Sequence, residues 1–128
     1  MVEKNKNPRI LVVDDDLLVI RLLEKLLVSK GYTVLLADEA PQGLEMAIKE
    51  SPDLVILDVM MPIINGFNIC RLLKSQPNRQ NIPIILLTSR ATEEDRCIGR
   101  EVGADAYFSK PLNTEEFLQK VQELLRVS

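Results

Sequence analysis

Five short apolar runs set the terms for this chain: Ile10–Val13, Thr33–Ala37, Leu54–Leu57, Ile82–Leu87 and Ala106–Ser109. Each is followed by a segment of helix length. Runs this short, without polar alternation, suit strands buried on both faces. A strand, a helix-length crossover and another strand, repeated, require a parallel sheet covered by helices on both sides. The crossovers must be right-handed. The predicted class is therefore α/β, a (βα)5 chain with no internal repeat, linker or low-complexity segment.

The helical segments carry their own punctuation. Asp16 can cap a helix from Leu17 to about Ser29. Arg21, Glu24 and Lys25 would face water, and Val19, Leu22, Leu23, Leu26 and Leu27 would face inward. Lys30-Gly31 stops it. Pro41 suits the first turn of a second helix, with Leu44, Ala47 and Ile48 on one face, and Ser51-Pro52 ends it. A loop through Met60-Met61-Pro62 and Asn65-Gly66 leads to a third helix, ending near Lys74. The fourth, Glu93 to Val102, is the weakest, with few apolar residues and Gly99 in its interior. Asn113 and Glu116 open the fifth, whose apolar stripe is Phe117, Leu118, Val121, Leu124 and Leu125.

At 128 residues the chain reads as a single domain. Its net charge of −3 argues against nucleic acid or an acidic membrane as direct partner. The two cysteines, Cys70 and Cys97, stand apart, and the chain has no histidine, which excludes a zinc site. No run approaches the ~18 apolar residues of a membrane span, and the polar N-terminus is not a signal peptide. The expected location is the cytoplasm.

In a parallel sheet of this kind, ligands gather at the carboxyl ends of the strands. The first strand delivers Asp14, Asp15 and Asp16 there, the third Asp58, the fourth Thr88 and the fifth Lys110. Asp38, after the second strand, is too peripheral to join. Taken singly, each has a bland reading: turn aspartates, helix caps, a solvated lysine. Together they place carboxylates, a hydroxyl and an ammonium at one edge. Clustered carboxylates repel one another and call for a cation. Oxygen ligands without His or Cys select a hard ion, Mg2+ or Mn2+. A phosphate cradle is absent, since the first strand runs into DDDLL and there is no GxxxxGK sequence.

The stretches ILVVDDD, LVILDVMMPIINGF, IILLTSR and GADAYFSKP, in that order, resemble the receiver domain of two-component response regulators. The resemblance extends over most of the chain, with an ordered core of about residues 9–127. It implies a flavodoxin-like sheet in the order 2-1-3-4-5. It also implies a phosphoryl group taken onto Asp58 from a phosphohistidine on a sensor histidine kinase or phosphotransfer protein. Asp15, Asp58 and the backbone carbonyl of Met60 would bind Mg2+, assisted by Asp14. Lys110 and Thr88 would contact the phosphoryl oxygens, and Tyr107 would switch rotamer with Thr88. Met60 and Arg90 flank the site and would tune how long the phosphoryl group lasts; apolar Met60 implies slow self-hydrolysis. Ser89 stands where the family often has alanine, and Asn65 where aspartate is common. Ala106 stands where many DNA-binding members have a second aspartate, which removes one charge from their dimer contact across the fourth and fifth helices. Homodimer or output contacts would form on the face made by helix four, strand five and helix five. The expectation is a signalling module and not a turnover enzyme. Two alternatives remain at this level: a Mg2+-dependent phosphatase with an aspartyl nucleophile, and a pseudo-receiver that is never phosphorylated.

Overall fold

The computed structural model describes residues 7–89 and 92–126. Arg90 and the expected core limit Val127 lie outside the described residues. The strands are β1 (Arg9–Val13), β2 (Thr33–Ala37), β3 (Leu54–Asp58), β4 (Ile84–Thr88) and β5 (Ala106–Ser109). The helices are α1 (Leu17–Ser29), α2 (Ala40–Glu50), α3 (Gly66–Lys74), α4 (Glu93–Glu101) and α5 (Thr114–Arg126). The strands pair in parallel in the order β2-β1-β3-β4-β5. This is the flavodoxin-like α/β fold that the sequence implied.

Alternation along each strand sorts the core into two layers. Leu11, Val13, Val55, Leu57, Ile84 and Leu86 face α2 and α3, where Ala47, Ile69, Cys70 and Leu73 meet them. Ile10, Val12, Leu54, Ile56, Ile85 and Leu87 face α1 and α5, against Leu23, Leu27, Phe117 and Val121. Each fully buried Leu or Ile contributes roughly 2 kcal/mol of transfer free energy. The central strands β3 and β4 are buried throughout, which is why their sequences show no polar alternation.

A strand start and a helix face differ from the sequence expectation. The fourth strand was expected from Ile82 and begins at Ile84. Pro83 has no N–H to give the ladder. Ile84 N instead donates to the Asp105 carboxylate at 2.8 Å. On α1, Leu22 was expected to face inward and is exposed, while Ile20 is buried. The buried row is Ile20, Leu23 and Leu27, and a helical step of about 100° turns Leu22 away from it. Val19 and Leu26 are only half-buried. The helix is apolar almost all round, so composition alone could not select its inner face.

Two expected caps form, and α3 has one that was not expected. Asp16 Oδ1 accepts from Leu18 N at 2.9 Å, and Asn113 Oδ1 from Glu116 N at 3.1 Å. Asn65 caps α3 by accepting from Asn68 N at 2.9 Å.

Candidate functional site

Register brings the charged residues together. Val13 pairs with Leu57, Asp58 with Leu87, and Thr88 with Ser109. The residues just past these pairs must then share one edge of the sheet. The ladder continues beyond the strands: Asp14 N donates to Ala37 O, Val59 N to Leu87 O, and Lys110 N to Thr88 O at 2.7 Å. These bonds fix the roots of the side chains that sequence reasoning singled out.

The cluster is compact. Asp14, Asp15 and Asp58 each offer a carboxylate oxygen, all within 4.8 Å of one another. Asp14 and Thr88 are fully buried, and Asp58 is only 4 % exposed. Asp15 is exposed, because alternation past the strand end turns it outward. Lys110 Nζ donates to Asp14 Oδ2 at 2.8 Å and to Asp58 Oδ1 at 3.2 Å. The other Asp14 oxygen accepts from Asp16 N at 2.9 Å. Asp38 stays outside this cluster, as expected.

The electrostatics follow from this packing. Burial, reinforced by the Asp14 charge, pushes Asp58 up to about 6 against the lowering pull of Lys110. Burial disfavours the Lys110 ammonium, but its bond to Asp14 and the charges of Asp14 and Asp58 outweigh that and raise its pKa. Three carboxylates with one ammonium leave an excess of negative charge. The donor set is oxygen only and partly open to solvent through Asp15. It fits a hard divalent cation such as Mg2+, and offers nothing to a soft one.

Comparison with known proteins agrees with this geometry. The family model for the response regulator receiver domain matches residues 10–122. The chain belongs to the response-regulator receiver family. Among curated relatives, the response regulator MprA of Mycobacterium ulcerans is 44 % identical over 118 residues, 92 % of this chain and 50 % of that one. The receiver thus spans about half the length of such relatives. A CheY-like receiver domain protein from Methanospirillum hungatei superposes with a TM-score of 0.88 at 31 % identity, covering 94 % of each chain. The receiver domain of a sensor histidine kinase from Pseudomonas aeruginosa superposes with a TM-score of 0.86 at 28 % identity. That comparison covers 94 % of this chain and 98 % of that one, whose structure holds a magnesium ion in its active-site cleft.

Tyr107 of the receiver lies half-buried on β5, one strand away from β3 across β4. Its ring stacks on Phe67 of α3 with centroids 6.5 Å apart and planes 20° apart. The Arg96 guanidinium of α4 lies 5.4 Å from the ring centroid. Gly99 makes the space: a Cβ there would lie 3.0 Å from Tyr107 Cδ2. The glycine that made α4 look weak in sequence is what allows this helix to seat over the aromatic ring. Neither Phe67 nor Arg96 was singled out from sequence, because nothing in their local pattern distinguishes them from core and surface residues.

The loop between Asp58 of β3 and Gly66 of α3 leads directly out of the site. Val59 O accepts from Gly66 N at 2.9 Å and closes it. Gly66 is required, since a Cβ would overlap the Asp58 carbonyl oxygen and the Val59 backbone. Met60 is exposed on this loop, two positions after Asp58. Ile63 is a further residue that sequence reasoning missed. It adopts φ 75° and is 87 % exposed. Ile64 N donates to Pro62 O at 2.8 Å across it, a three-residue turn. A β-branched residue at positive φ costs of order 1–3 kcal/mol, and the usual glycine signal for such a turn is absent here.

Proposed function

We propose that this chain is the phosphoacceptor module of a two-component response regulator, with Asp58 taking a phosphoryl group from a phosphohistidine. The observation that carries this is the Lys110 ammonium shared between Asp14 and Asp58 at the mouth of a three-carboxylate cluster. The donor is a sensor histidine kinase or a phosphotransfer protein.

An Asp58 oxygen attacks phosphorus, the P–N bond to the donor imidazole breaks, and the histidine leaves neutral after taking up a proton. At neutral pH Asp58 is mostly ionised even with its raised pKa, so no base is needed. Asp15 and Asp58, with the Met60 carbonyl, would hold Mg2+, and Asp14 would assist. When bound, the ion offsets negative charge on the group in transfer. Lys110 exchanges part of its contact with Asp14 and Asp58 for the phosphoryl oxygens. Thr88, buried beside the acids, donates its hydroxyl to the same group. The product is an acyl phosphate, which water can cleave, so the mark is reversible. The chemistry runs once per phosphorylation and then reports; the module is not a turnover enzyme.

The new charge of about −2 at Asp58 draws Thr88 inward. Tyr107 then moves from its contacts with Phe67 and Arg96 and changes the face formed by α4, β5 and α5. That face is the one we assign to a second copy or an output domain. We place the protein in the cytoplasm, where such donors act; no described helix is long and apolar enough to cross a membrane.

Acetyl phosphate with Mg2+ should add one phosphoryl group, read by intact mass, in a form cleaved by hydroxylamine. Asp58→Asn should abolish the addition; an unchanged yield in that variant sinks the assignment. Met60 has no group to orient an attacking water, and Arg90 would shield the phosphoryl. The label should therefore persist for minutes or longer, and Met60→Asn should shorten it severalfold. Decay within seconds in the unmodified protein would contradict this.

A further inference from the structure

We propose that Ile63 is a docking residue for the protein that delivers the phosphoryl group, received by an apolar face of that donor. This rests on the reading of Asp58 as phosphoacceptor and names how the donor is held against it.

The side chain is 87 % exposed, at a backbone position where φ is 75°. A branched apolar side chain there brings the fold neither burial nor relaxed backbone. Its placement is nevertheless fixed. The loop is anchored by Val59 N on Leu87 O and by Gly66 N on Val59 O, and Ile64 N closes the turn on Pro62 O. Ile63 is thus presented outward at a set position on the loop that leads from Asp58 to Gly66. Met60 is exposed on the same loop, and Leu17 and Leu18 are exposed just after the aspartates of β1. Exposed apolar residues therefore follow the acids on both the β1–α1 and the β3–α3 connections.

The chemistry of the mouth says what these apolar residues are for. A phosphoryl group arriving on a partner brings negative charge towards three carboxylates and a chain of net charge −3. Charge alone does not hold such a partner; apolar contact around the mouth does, without needing attraction. The occupant must carry the transferable group. A second copy of this chain is excluded from that role, because the chain contains no histidine.

The test compares two phosphodonors on the same variants. One is acetyl phosphate. The other is a soluble, autophosphorylated sensor histidine kinase that labels the unmodified chain. Ile63→Gly and Ile63→Asn should fold with an equal or higher melting temperature, since both residues tolerate positive φ. Each should lower kcat/KM for transfer from the kinase about tenfold and leave labelling by acetyl phosphate unchanged. Ile63→Leu, which keeps an apolar side chain, should retain most of the kinase rate. Equal losses with both donors would overturn the inference, because Ile63 would then shape the loop around Asp58. Unchanged kinase transfer would overturn it as well, including the case where only sedimentation shifts and the residue joins two copies. Failure of acetyl phosphate to label the unmodified chain would instead count against Asp58 as phosphoacceptor.

Discussion

Asp58 holds its charge in the place least able to solvate it. Its pKa is raised from 3.8 to about 6 in the folded chain, chiefly by burial and then by Asp14. A raised carboxylate makes the folded state bind more protons than the unfolded one. Stability therefore falls as pH rises from about 4 to about 6, and the loss is complete above that window. Asp58→Asn should raise the unfolding free energy at neutral pH by ~1–3 kcal/mol, the gain vanishing below the ordinary carboxylate range. Urea titrations across pH would show it; a gain that persists in acid would mean that the buried charge is not its source. The same proton competes with a cation, so Mg2+ affinity by calorimetry should drop as pH falls through about 6. A second residue contrast concerns the thiols. Cys70 is buried, bonded to Val102 O at 3.4 Å, and burial pushes its thiol up to about 11. Cys97 is exposed. A thiol reagent should modify one cysteine in the native protein and both in denaturant.

Elements in this fold are placed by what their ends must meet. Gly66 starts α3 against the Asp58 carbonyl, and the space for a side chain there does not exist. Both neighbours are backbone, so Gly66→Ala should lower stability by ~2–4 kcal/mol and weaken Mg2+ binding by displacing Asp58. Wild-type affinity in that variant would show the loop yields more easily than its hydrogen bonds suggest. α4 shows why sequence reading stops short at this level. Its scarcity of apolar residues and its internal glycine argued for a poor helix. Thr92 caps it, accepting from Asp95 N at 3.1 Å, and Glu93, Glu94 and Asp95 sit in its first turn, where acids favour the helix dipole. The glycine answers to Tyr107, a partner eight positions on in the chain and on another element. A contact of that kind leaves no periodic trace. Ile63 was invisible for the same reason: positive φ there comes from closing the loop, not from any turn residue.

At the level of the molecule, the two ends of the sheet do different work. The carboxyl end collects the acids. The amino end is pinned by charges bonded to backbone. Lys74 Nζ donates to Ile82 O at 2.9 Å, Asp105 accepts from Ile84 N, and Asp53 accepts from Arg9 N at 2.8 Å. Asp105→Ala should lower stability by ~1–2 kcal/mol and leave phosphoryl uptake by Asp58 intact; a loss of uptake would show the two ends to be coupled. The α/β class was legible because short apolar runs alternate with helix-length gaps, while the strand order came only with the family resemblance. The acidic cluster and its lysine were legible because Asp14, Asp15, Asp58 and Lys110 stand out by charge at strand ends. The unequal fates of Asp14 and Asp15 were not, since adjacent identical residues differ only by which way the last peptide turns.

Lys110 Nζ touches Asp14, 96 positions earlier in the chain, and Asp58, 52 positions earlier. The cation that makes the two acids tolerable neighbours is therefore supplied last during synthesis. A nascent or truncated polypeptide ending before Lys110 has both acids but not the ammonium that bridges them. On the acceptor role proposed for Asp58, receptivity to signal would arrive with the final strand, and an unfinished molecule would stay deaf.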